Sequence, residues 1–132
     1  MAQIVLVMHE PLGAAFADCA AHIFGTPPSM TVFDVAPDAS VEESVDELVG
    51  ILRQTSDASL ILCDLYGATP FNIAKRALKR IAEDGMPGHL VTGTNLCMVL
   101  KALTDQKENP EELSERVRVG ALRGIIDAEQ LT

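Results

Sequence analysis

The sequence contains no run approaching the ~20 consecutive apolar residues of a membrane-spanning helix, so membrane insertion is not expected. Its opening, MAQIVLVMHEPLG, has neither a basic leader nor a cleavage site, and a signal peptide is not expected either. Cysteine is scarce. Cys19, Cys63 and Cys97 are widely spaced, flanked by apolar residues and form no CxxC pair. They read as buried, reduced thiols without a redox or metal role, which favours a cytoplasmic location. Positive charge is also in short supply, with 10 Lys and Arg against 19 Asp and Glu for a net charge of −9. That balance argues against nucleic acid or an anionic membrane as the main partner, but it suits docking to a basic protein patch.

Several signatures of nucleotide-binding and signalling folds are missing. No GxGxxG follows the first apolar run, which removes the dinucleotide fingerprint. No GxxxxGK followed by Ser or Thr is present, which removes the triphosphate loop. A receiver domain would place acidic residues at the end of its first strand, where this chain has His9-Glu10. Internal repeats, low-complexity tracts and linkers are absent as well. The 132 residues therefore read as one domain, 1–132, with enough apolar residues for a substantial core.

Strand-like and helix-like segments alternate four times. QIVLVM (3–8), TVFDV (31–35), SLILC (59–63) and HLVTG (89–93) read as strands. Helical spacing follows each, over 12–24, from Ser40, from Pro70 and over 95–103, with a further helical segment from about Glu111. Ser40 and Glu43 form a capping box, and the uninterrupted apolar run 59–63 predicts a strand covered on both faces. The tail RVRVGALRGIIDAEQ is ambiguous, because Val117 and Val119 alternate like a strand within helical surroundings. The pattern predicts an α/β fold with a mostly parallel open sheet of order 2-1-3-4, half of a flavodoxin-like arrangement, and helices on both faces.

In such sheets, ligands bind beyond the carboxyl ends of the strands where the strand order reverses, here between strands one and three. The first ends in MHE and the third in CDLYG, which brings His9 and Asp64 together. A carboxylate that accepts one ring N–H fixes the imidazole tautomer and leaves the other nitrogen as nucleophile or base. GATPFN then predicts a helix with Thr69 as N-cap and Pro70 at its first position, so that the amides of Phe71 and Asn72 offer an anion site. Together these point to phosphorylation of His9. The residues alone also leave open a purely structural His–Asp hydrogen bond. His22 reads as packed or half-exposed within its helix, His89 as solvated, and no tight ligand motif supports a zinc site from His9, Asp64 and His89.

These residues resemble the IIA component of the mannose-type bacterial sugar phosphotransferase system. The resemblance rests on IVLVMHEPLG, ILCDLYGATPFNIAKR and LVTGTNLCMVLKAL, and covers nearly the whole chain. It implies a phosphocarrier that needs no cofactor. His9 would accept a phosphoryl group from the phosphohistidine of the carrier HPr on Nε2 and pass it to a IIB component. Asp64 would pair with Nδ1, and Thr69 with the amides of Phe71 and Asn72 would line the phosphate site. The family also implies a homodimer with C-terminal segments packed or exchanged between subunits. Two departures stand out: Glu10-Pro11 replaces the usual glycine after the histidine, and YGATP replaces the usual WGGSP type of loop. The chain leaves no room for a IIB domain, so a separate acceptor is expected. A regulatory module switched by His9 phosphorylation, or the phosphocarrier subunit of a dihydroxyacetone kinase, would share the same site.

Overall fold

Parity along the strands decides which helices lie on which face of the sheet. The computed structural model describes residues 1–130. Four strands, β1 (Gln3–His9), β2 (Thr31–Val35), β3 (Ser59–Cys63) and β4 (Gly88–Val91), pair in parallel in the order β2-β1-β3-β4. Five α-helices connect and follow them: α1 (Leu12–Phe24), α2 (Val41–Leu52), α3 (Thr69–Glu83), α4 (Leu96–Thr104) and α5 (Pro110–Arg123). A short 3-10 turn, Ala128–Gln130, follows.

Successive strand side chains point to opposite faces. Val5, Val7, Phe33, Val35, Ile61 and Cys63 meet α2 and α3 through Val45, Leu48, Leu52, Ile73, Ala77 and Ile81. Ile4, Leu6, Met8, Leu60 and Leu62 meet α1, α4 and α5 through Ala20, Met98, Val99, Leu113 and Val117. Every residue of β3 is buried, as its uninterrupted apolar run requires. Across the α2–α3 seam, Arg76 reaches Glu42 at 2.7 Å and Arg80 reaches Asp46 at 2.6 Å. All four side chains are solvated, so these pairs add little to the burial beneath them.

The sequence reading needs three corrections in the fold. The fourth strand runs over 88–91 rather than 89–93, because Gly93 turns the chain at φ 75° and Thr94 folds back onto β3. The ambiguous tail is helical through Arg123, since Val117 and Ala121 lie on one helical face and close the lower core. Of the three cysteines only Cys63 is buried; Cys19 and Cys97 are exposed. Both sit next to a buried helical neighbour, Ala20 and Met98, and their own positions turn outward. Burial raises the Cys63 thiol to about 12, with the Asp64 carboxylate adding to the effect, so it remains an inert part of the core.

Candidate active site at the β1–β3 switch point

The chain leaves β1 for β2 on one side and returns to β3 on the other, so the carboxyl ends of β1 and β3 flank the reversal of strand order. His9 is the last residue of β1, and Asp64 follows the last residue of β3. The Asp64 carboxylate accepts from His9 twice through Oδ2, from the main-chain N–H at 3.0 Å and from ring Nδ1 at 2.7 Å. Its Oδ1 accepts from the Leu65 N–H at 2.9 Å. The Asp64 side chain is 8% exposed and that of His9 49%. The histidine thus presents a solvent-facing ring on a largely buried, fixed support.

Burial by itself raises the Asp64 carboxyl, but the main-chain N–H and ring of His9, together with the Leu65 N–H, more than reverse that effect. The group is held below the ordinary carboxylate range. An ionised carboxylate is acceptor-only, so the proton on the short contact belongs to Nδ1. The Nε2 lone pair is then left for reaction.

A cleft of about 340 Å³ lies between β1, the β2–α2 connection and the start of α3. His9, Glu10 and Thr69 line it, opposite Val35, Pro37 and Val41. The start of α3 is shifted by one residue from the sequence reading. Ala68 is the N-cap, and Thr69 and Pro70 are the first two helical residues. The Asn72 N–H is consumed by the Ala68 carbonyl at 3.0 Å, so it is not an open donor. Among the described residues no acceptor takes the main-chain N–H of Thr69 or Phe71. The structure therefore brings together His9, Asp64 and Thr69, keeps the Phe71 amide open, and removes the Asn72 amide. Gly67, in the left-handed region at φ 82°, makes the turn that precedes this start.

The other four helix starts differ. Ser40, Asn95 and Asn109 accept from main-chain N–H groups of α2, α4 and α5. At α1 the acceptor comes from another element. Asp34 of β2 takes the Gly13 N–H at 2.8 Å and the Ala14 N–H at 3.0 Å. The α3 start alone receives no side-chain acceptor among the described residues, and it is the one beside His9. Sequence reasoning missed the Asp34 contact, although the acid at the end of a strand and an early helical glycine were both visible. It also missed the anchor behind Asp64, where the Thr94 N–H and hydroxyl both donate to the Cys63 carbonyl, at 3.1 and 2.6 Å. Thr94 thus fixes the residue that precedes the carboxylate.

His89 pairs with Leu60 in the sheet register, several residues before the end of β3, and His22 is exposed on α1. Neither approaches His9 by register. Among the described residues no three His, Cys, Asp or Glu side chains are grouped to hold a metal ion, and no helix is long and apolar enough to cross a membrane.

The strand reversal of this parallel α/β domain therefore carries a half-exposed imidazole braced by a mostly buried carboxylate, an arrangement suited to nucleophilic or acid–base chemistry at the ring. Residues 3–118 match the family model described as the PTS system fructose IIA component. The chain belongs to this mannose/fructose IIA family of the sugar phosphotransferase system. Solved structures agree in fold. The mannose/sorbose specific IIA subunit from Enterococcus faecalis superposes with a TM-score of 0.84 at 21% identity, over 95% of this chain and 92% of that one. The EIIA component from Streptococcus agalactiae gives 0.85 at 21% identity, over 98% and 99%. A IIA protein associated with the fucose utilization operon of Streptococcus pneumoniae gives 0.72 at 20% identity, over 98% of each chain. No curated protein sequence matches the chain.

Proposed function

We propose that this chain is a cytoplasmic phosphocarrier that accepts a phosphoryl group on His9 Nε2 from phosphorylated HPr and passes it to a separate IIB component. The observation that carries the proposal is the 2.7 Å contact from His9 Nδ1 to a mostly buried Asp64, with the ring half-exposed beside the uncapped start of α3. Asp64 keeps the proton on Nδ1 and stabilises the positive charge that the ring gains as Nε2 attacks phosphorus. The Thr69 hydroxyl and the open N–H groups of Thr69 and Phe71 face the incoming phosphoryl oxygens, aided by the positive end of the helix dipole. No cofactor enters the step.

Donor and acceptor must both reach the same ring, so the surface around it is the docking surface. Leu65 and Tyr66 follow Asp64 directly and are 59% and 81% exposed, with the Tyr66 ring resting 4.8 Å from Phe71. Contiguous exposed apolar surface often marks an association site, and this adjacent pair supports docking here. We also propose a homodimer formed through the C-terminal segment and the free edge of β4.

The test is incubation with phosphoenolpyruvate, enzyme I and HPr, followed by intact mass measurement. The expected result is one acid-labile phosphoryl group per chain, absent from His9→Ala. Label that persists in His9→Ala, or maps to His22 or His89, rejects the assignment.

A further inference from the structure

We infer that Glu10 tunes the phosphoryl-transfer potential of His9, acting as an unpaired negative charge beside the ring that disfavours its phosphorylated state. The inference rests on the phosphocarrier reading above. Glu10 lines the same cleft as His9 and Thr69. Its main chain cannot swing away, because the Glu10 N–H donates to the Val35 carbonyl at 3.0 Å while the His9 N–H donates to Asp64. Its side chain is exposed and joins no ion pair among the described residues, so its charge is not neutralised locally. Asp64 is different: it is engaged by the ring, and its charge is matched by the positive charge that develops there.

In the transfer step the His9 Nε2 lone pair forms a bond to phosphorus as the P–N bond of the donor phosphohistidine breaks. The donor ring, protonated on its other nitrogen, leaves as neutral imidazole and keeps that proton. His9 retains its Nδ1 proton against Asp64 and now carries a ring-positive, phosphoryl-negative group. A dianionic phosphoryl group within a side-chain length or two of Glu10 is repelled through water and side-chain-rich surface. Because the ring turns positive, the phosphorylated side chain is one unit more negative in net charge than the free ring, and at roughly 6–10 Å in water Coulomb's law makes that state less populated by up to about threefold. Repulsion of this sign favours passing the group onward over storing it.

The experiment equilibrates phosphorylated HPr with the full chain and reads the phosphorylated fractions of both proteins by intact mass. At ~0.01 M ionic strength, Glu10→Gln is expected to shift the exchange constant toward the phosphorylated chain by up to about threefold, while Glu10→Asp stays near wild type. The shift should vanish at ~1 M salt, where the screening length is about 3 Å. Glu83→Gln removes the same charge at the far end of α3, about 20 Å along the helix axis, and should change nothing. An unchanged constant in Glu10→Gln, or an equal shift in Glu83→Gln, overturns the role of Glu10 while leaving the carrier reading intact. A wild-type chain that takes no label from phosphorylated HPr removes both.

Discussion

A largely buried carboxyl group is ordinarily pushed toward its neutral form, yet Asp64 is held ionised by three N–H groups. This has a consequence for rate. Asp64→Asn can turn an amide N–H toward the imidazole, which favours the wrong tautomer and, if His9 is phosphorylated as proposed, withdraws the charge that balances the ring. Phosphoryl transfer to His9 is expected to slow by roughly 10²-fold, comparable to a general acid–base contribution, with the fold retained. Rapid-quench measurement from phosphorylated HPr checks this, and an unchanged rate would leave Asp64 as a structural brace only. A second consequence concerns acid stability. Because the folded carboxyl is depressed, its contribution is fully present above the unfolded value of about 3.9 and is lost as pH falls through the folded value. The Tm advantage of wild type over Asp64→Asn should therefore be largest near pH 6 and should shrink below about pH 4. A gap that widens in acid would contradict the hydrogen-bonding assignment.

At the scale of elements, the helix starts explain what the sequence revealed and what it hid. Capping by Ser40 was legible because the side chain acts on its own helix, three residues away. So were the strand tips, since His9 and Asp64 each end an apolar run. The α1 start was not legible, because its acceptor, Asp34, arrives from β2 across 20 residues of chain. The cap of α3 was misplaced by one residue, because side-chain preference favours Thr69 over Ala68 as N-cap, whereas this helix starts on the Ala68 main chain with no side-chain cap. The outward cysteines were misjudged because apolar neighbours in sequence lie on different faces of a helix. The α1 arrangement is testable. A Cβ on Gly13 would stand 2.3 Å from Asp34 Oδ1 and 2.9 Å from Val32, too close for either to remain in place. Gly13→Ala should displace the carboxylate from the α1 amides and cost about 1–3 kcal/mol in urea unfolding. By contrast Gly50→Ala, with open space at its Cβ within α2, should be neutral or slightly stabilising.

For the whole molecule, the free edge of β4 and the tail after α5 pose one question. An unpaired strand edge invites another chain, and β4 borders a cleft of about 880 Å³ lined by Tyr66, Phe71, Leu78 and Leu90 with the cations of Lys75 and Lys79. Those two lysines join no ion pair among the described residues. The segment after α5 offers the complement: Ile125 and Ile126 are 71% and 56% exposed, and Asp127 and Glu129 follow them. Two copies that exchange these segments would bury the isoleucines, set the acids against the lysines and cover the edge. Sedimentation should accordingly show a dimer at micromolar concentration. Ile125→Asp combined with Ile126→Asp removes the apolar anchor and places further acid in the segment, which should shift the protein to monomer. Because the isoleucines lie outside the folded core in each chain, thermal unfolding of the isolated subunit should be little changed. Lys75→Glu with Lys79→Glu should weaken the dimer by a smaller, salt-dependent amount, as expected for exposed charges. A wild-type monomer across the micromolar range would sink the dimer proposal. A dimer that survives the isoleucine changes would move the interface to another face, with the β4 edge left for a different protein.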